Sequence, residues 1–77
     1  GGEIRFGATV KIEEDGTGKH STYKLVGEYE SDINNKKISI NSPLARALIG
    51  KMKKDLVEVN SPKGTKTYTV ISVAYKQ

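Results

Sequence analysis

The segment from Ser42 to Gly50 carries the clearest helix signal in this chain of 77 residues. Ser42 supplies a side-chain oxygen for the first free backbone amides, and Pro43 suits the first helical position. The stretch Leu44–Ile49 contains strong helix formers, and Gly50 is typical of the residue that ends a helix. Because two turns of helix are unstable alone in water, the segment predicts a short helix that is ordered by packing on a sheet.

Apolar residues elsewhere in the chain alternate with polar ones, which is typical of strands with one buried face. The strand-like runs cover residues 7–13, 23–26, 38–40, 56–59 and 65–75. Glycine-rich or proline-containing stretches after the first and fourth runs predict two hairpins. The order strand, strand, strand, helix, strand, strand predicts an α+β fold, with a mainly antiparallel sheet of about five strands packed on one short helix.

The last run predicts a strand in the interior of the sheet, because both of its faces carry apolar residues. Strict alternation places Tyr68 and Val70 on one face and Ile71 and Val73 on the other.

Length and composition limit the chain to one domain with one small core, since only 35% of the residues are hydrophobic. We expect residues 5–77 to form this domain. Residues 1–4 are interpreted as an N-terminal linker or a cloning remnant, because the Gly1–Gly2 pair signals only flexibility. The chain lacks cysteine and any apolar run near the roughly 20 residues that cross a bilayer, so we expect a cytoplasmic location.

The formal net charge of +4 allows acidic partners without requiring them. The lysines divide among residues 36–37, 51–54 and 63–66, with no aromatic stacking ladder beside them. Surface lysines that keep a small domain soluble are the simpler interpretation. Direct nucleic-acid binding stays open as an alternative, and its affinity would fall steeply with salt.

The residues offer little for catalysis or metal binding. His20 is the only histidine, and beside a glycine-rich tip we expect it to be exposed. Consecutive side chains of Glu13–Asp15 would point to alternating faces of a strand, so they would not converge on one metal ion. Glu28, Glu30 and Asp32 have alternate spacing but lack the glycine turn of a calcium loop. We therefore expect no catalytic residue, no metal and no cofactor.

The exposed entrance of the predicted helix combines Asn41, Ser42, Pro43 and Arg46. The planar donor fork of Arg46 suits bidentate pairing with a carboxylate of a partner. This combination indicates a binding module but does not name what it binds.

Several blocks of the sequence recur in order in a known family. They are Phe6–Val10 (FGATV), Val26–Glu28 (VGE), Asp32, Ile38–Ser39, Ser42–Lys51 (SPLARALIGK) and Asp55. These blocks resemble the C-terminal domain of the bacterial GreA/GreB transcript-cleavage factors, in particular the GreA branch, and the likeness extends from Phe6 to Tyr75. The resemblance implies an FKBP-like fold, which agrees with the strand and helix predictions.

The resemblance also implies a docking role. In the family, an N-terminal coiled-coil hairpin enters the secondary channel of RNA polymerase, while the C-terminal domain binds the coiled coil at the channel rim. The full factor makes the polymerase cleave backtracked RNA, and acidic residues at the hairpin tip help to place magnesium in the polymerase active centre. No heptad pattern of such a hairpin is present here, so we expect the anchoring half of a longer factor.

The family's docking contact falls on Asn41, Ser42 and Pro43, and the chemistry of the helix entrance adds Arg46. Some members carry an aspartate where Asn41 stands, and Tyr29 and Ser31 alter the family's acidic run after Val26–Glu28. We expect RNA polymerase as the partner, only weak proximity to nucleic acid, no membrane contact and a monomeric domain. Two alternatives remain: an inhibitory regulator of the same superfamily, and a peptidyl-prolyl isomerase with the same fold.

Overall fold

The computed structural model describes residues 2–75, in which five strands form a single sheet. The strands are β1 (Thr9–Glu14), β2 (His20–Val26), β3 (Lys37–Ser39), β4 (Leu56–Ser61) and β5 (Gly64–Ala74). Along the chain, one helix, α1 (Pro43–Leu48), follows β3 and precedes β4. Two single 3₁₀ turns (Glu28–Glu30 and Ile33–Asn35) precede β3. No helix in this described part of the chain is long and apolar enough to cross a membrane.

The strands follow the spatial order β3-β2-β1-β5-β4. Three of the four pairings are antiparallel, and only β2 with β3 is parallel. The predicted α+β architecture, a mainly antiparallel five-stranded sheet with one short helix, is therefore confirmed. The last strand, β5, lies between β1 and β4, in the interior of the sheet as predicted.

A β-bulge in β5 overturns the predicted alternation along that strand. Val73 pairs with Val10 and Val70 pairs with Ile12, so the register shifts by one residue between them. Both β1 partners are buried, and Val70 and Val73 consequently pack on the same core although they are three residues apart. Beyond the extra residue of the bulge, odd-numbered and even-numbered side chains exchange faces of the sheet. A strict period of two does not allow for this exchange.

Helix α1 begins where the sequence predicted. The Ser42 hydroxyl oxygen accepts a hydrogen bond from the Ala45 amide at 3.3 Å, and Pro43 occupies the first helical position. Gly50 follows the helix with a φ of +90°, a conformation that glycine adopts without steric cost. The helix buries Ala45 and Leu48 completely, so its order comes from packing.

The core extends further toward the N-terminus than predicted, because the Ile4 side chain is completely buried. The Ile4 amide donates to the Lys51 carbonyl at 2.8 Å, and its carbonyl accepts from the Gly50 amide at 2.9 Å. Ile4 therefore belongs to the folded domain rather than to a linker. In the sequence Ile4 continues the alternation of Phe6, Ala8, Val10 and Ile12, but the Gly1–Gly2 pair led to its assignment to a linker.

Candidate functional site

The turn between β3 and α1 is held in place by Ser39, the last residue of β3. The Ser42 amide donates to the Ser39 carbonyl at 2.9 Å, and the Asn41 amide donates to the Ser39 hydroxyl oxygen at 3.0 Å. The strand end and the helix start are thus joined by a short, hydrogen-bonded turn. Asn41 and Pro43 are presented on a fixed backbone.

The Ser42 hydroxyl makes two hydrogen bonds within the domain. It donates to the Ser39 carbonyl at 2.7 Å and accepts from the Ala45 amide at 3.3 Å, and the residue is half-buried. Its predicted role as a helix cap is confirmed. A direct contribution from this hydroxyl to a partner would use only its remaining lone pair.

The other three predicted site residues, Asn41, Pro43 and Arg46, are exposed. Residues three apart on a helix are surface neighbours, so the side chain of Arg46 lies one turn beyond Pro43 on the same side of α1. Arg46 takes part in neither of the two ion pairs found within residues 2–75. The structure therefore brings an amide, a proline ring and a free guanidinium together at the helix entrance, with Ser42 beneath them.

A shallow groove next to this turn was not predicted from the sequence. It is lined by Ser31, Ile33, Lys37, Ile38, Ser39 and Ser42. Ile33 is 65% exposed and lies on the second 3₁₀ turn, where the Asp32 carboxylate accepts from the Asn34 amide at 3.1 Å and from the Asn35 side chain at 2.6 Å. The Asp-x-Asn spacing in the sequence could have predicted this turn, since an aspartate side chain that accepts from the amide two residues later is typical of such turns.

The remaining candidates do not gather into a reactive site. His20 is about half exposed, and its Nε2 lies 3.4 Å from Glu13 Oε1. Glu14 instead pairs with Lys66 at 3.6 Å. Among residues 2–75, no group of three or more histidine, cysteine or acidic side chains is arranged to hold a metal ion.

The chain is similar in sequence to known proteins. The sequence model of the family "Transcription elongation factor, GreA/GreB, C-term" matches residues 1–75. Transcription elongation factor GreA of Rickettsia felis is 54% identical over 77 residues, covering all of this chain and 48% of that protein. GreA of Thioalkalivibrio sulfidiphilus is 52% identical over 75 residues, covering 97% of this chain and 48% of that protein.

Solved structures share the same fold. Gfh1 of Thermus aquaticus superimposes with a TM-score of 0.83 at 32% identity, over 92% of this chain and 47% of that one. The elongation factor GreA/GreB of Nitrosomonas europaea gives a TM-score of 0.79 at 25% identity, over 96% of this chain and 62% of that one. The fold is thus FKBP-like, as the resemblance implied.

The present chain spans about half the length of the curated relatives it matches. The family model covers nearly all of it, and it does so with the portion described as C-terminal. The chain therefore belongs to the GreA/GreB family of transcription elongation factors, within which it corresponds to the C-terminal domain.

Proposed function

We propose that this chain is the domain through which a transcription elongation factor docks on RNA polymerase, at the coiled coil on the rim of the secondary channel. One observation carries the proposal: Asn41 and Pro43, on the turn held by Ser39, and Arg46, on α1, are exposed together at the helix entrance. The family resemblance implies docking at this turn, and family membership supports its transfer to this chain.

The hydrogen bonds at Ser39 and Ser42 support a docking role because they fix the turn before a partner arrives. A preorganised surface loses less conformational freedom on binding than a flexible one. On that surface, the Asn41 amide both donates and accepts hydrogen bonds, and the Arg46 fork pairs well with a carboxylate. Ser42 acts in this proposal as a positioning residue.

In a longer factor, this domain would serve as the anchor. An N-terminal coiled-coil hairpin would enter the channel and stimulate cleavage of backtracked RNA by the polymerase. Identity of 54% to GreA of Rickettsia felis makes a GreA-type, cleavage-stimulating factor the first candidate. An inhibitory regulator of the same superfamily is the alternative, and the N-terminal segment of the longer factor decides between the two. Under this proposal the domain acts in the cytoplasm, has no catalytic activity of its own and needs no cofactor.

The alternative of a peptidyl-prolyl isomerase requires a pocket for a proline-containing peptide, and such ligand sites are usually lined by apolar and aromatic side chains. The groove beside the docking turn has no aromatic lining residue, nor has a second one between the end of β1 and the start of β5. A proline-isomerisation assay with this chain is expected to give the uncatalysed rate. Acceleration above buffer would establish the alternative.

The docking proposal is tested by measuring the affinity of the chain for bacterial RNA polymerase by surface plasmon resonance. The test variant is N41A/P43A/R46A, which leaves the Ser42 cap in place. The matched control is N60A/P62A/K63A, which removes an exposed asparagine near the end of β4 and an exposed proline and lysine from the turn between β4 and β5. Circular dichroism confirms that both variants fold.

The test variant is expected to bind about tenfold more weakly or worse, because truncating an arginine and its neighbours at a contact typically costs at least that much. The control is expected to bind like the unmodified chain. Equal affinities for the two folded variants would refute the assignment of the turn, and absence of binding by the unmodified chain would refute docking by this domain.

A further inference from the structure

The two faces of the sheet differ in character. One face packs against α1 and contributes the core residues of each strand. The other, which we call the open face, carries the strand residues that alternate with those core residues. The parts of the open face on β3, β2 and β1 contain a group of lysines that are far apart in the sequence.

Lys11, Lys24 and Lys37 form this group. Their neighbours along the strands are core residues, so all three side chains belong to the open face. Lys24 pairs directly with Lys37 across β2 and β3, whereas its partner on β1 is Thr9. Lys11 is two residues beyond Thr9 and is therefore diagonal to Lys24, at about 7–8 Å between backbones.

These lysines lack ionic partners in the part of the chain that the structure describes. The ion pairs there involve His20 with Glu13 and Lys66 with Glu14. Asp32 bonds through the backbone to Lys37, but its carboxylate oxygens accept from Asn34 and Asn35. Lys24 and Lys37 carry like charges on neighbouring strands and repel each other, a cost that an anionic partner would offset.

The residues around the lysines indicate the chemistry of that partner. Thr22 and Ser72 flank Lys11 on the neighbouring strands, and Thr9 flanks Lys24. Lysine, serine and threonine side chains are common donors to phosphate oxygens. The cores of protein–protein interfaces are instead depleted in lysine and enriched in aromatic residues and arginine, and the described strand residues of the open face include no phenylalanine, tyrosine, tryptophan or arginine.

We propose that this end of the open face binds the phosphodiester backbone of duplex DNA without regard to sequence. A duplex fits better than a single strand because single-strand binders stack unpaired bases on aromatic side chains, which this surface does not have. The bases of a duplex are already stacked, and its phosphates are densely spaced. The proposal does not depend on docking to the polymerase.

The test measures binding of the unmodified chain to a fluorescently labelled DNA duplex, and to one of its strands alone, by anisotropy over a range of salt concentrations. The test variant is K11Q/K24Q/K37Q. The matched control, K19Q/K53Q/K63Q, removes the same number of charges from exposed lysines elsewhere. Thermal melting followed by circular dichroism checks that both variants remain folded, and polyglutamate serves as an acidic polypeptide competitor.

The test variant is expected to lose about tenfold or more in affinity at low salt, while the control loses about twofold. If the three lysines each neutralise one phosphate, the slope of log affinity against log salt should become shallower by about 2.7. Equal losses in the two variants would show that only net charge matters and would overturn the proposal. Tighter binding to the single strand, absence of duplex binding at low salt, or equal binding to polyglutamate would each overturn it as well.

Discussion

Replacing Ile4 with alanine should destabilise the domain substantially, although the residue lies next to the start of the chain. Its side chain is completely buried, and an isoleucine truncated to alanine in a core costs about 2–5 kcal/mol. A domain of this size has a total free energy of unfolding of about 4–12 kcal/mol. A central loss of about 3 kcal/mol therefore removes a large fraction of the stability and lowers the melting temperature by roughly 12–24 °C.

The assay is urea unfolding followed by far-ultraviolet circular dichroism, in which Ile4→Ala should lower the midpoint without changing the slope. The matched control is Ile33→Ala, the same substitution at a residue that is 65% exposed, for which a cost below about 0.5 kcal/mol is expected. A chain that begins at residue 5 should lose at least as much stability as Ile4→Ala, because it also loses the backbone bonds to Gly50 and Lys51. If Ile4→Ala costs no more than Ile33→Ala, the assignment of Ile4 to the core is refuted.

Two further substitutions probe the helix and its cap. Leu48→Ala should cost about 2–5 kcal/mol in urea unfolding because Leu48 is completely buried, whereas Ile49→Ala, at a 40% exposed residue, should cost much less; similar losses would contradict the assigned helix face. Ser42→Ala should cost about 1 kcal/mol through loss of the cap, and Ser42→Thr, which keeps a hydroxyl, should restore most of it. A cap role is contradicted if Ser42→Ala melts at the same temperature as the unmodified chain.

The sequence predicts best those features that depend on neighbouring residues. The start of α1 is specified locally, because the Ser42 side chain and the Pro43 ring act within a single turn. The strands are predicted from the alternation of apolar and polar residues, because neighbouring residues of a strand point to opposite faces of the sheet. The position of the proposed docking turn came from family resemblance, and the structure adds that Asn41, Pro43 and Arg46 are all exposed at the helix entrance.

Features that depend on distant parts of the chain could not be predicted in this way. The bulge in β5 exists only relative to its partner β1, so nothing near Ile71 reveals that Val70 and Val73 pack on the same core. The backbone of Ile4 is held by hydrogen bonds to Gly50 and Lys51, which lie after α1 and far away in the sequence. The grouping of Lys11, Lys24 and Lys37 likewise requires the register of three strands.

The order of the strands has a mechanical consequence for the turn at Asn41–Pro43. The turn connects β3, at one edge of the sheet, to α1, which packs against β4 at the opposite edge. A tension applied to the turn is therefore divided between two separate borders of the sheet. On one side it acts on the short parallel pairing with β2, and on the other on the buried Leu48, so neither attachment carries the whole load.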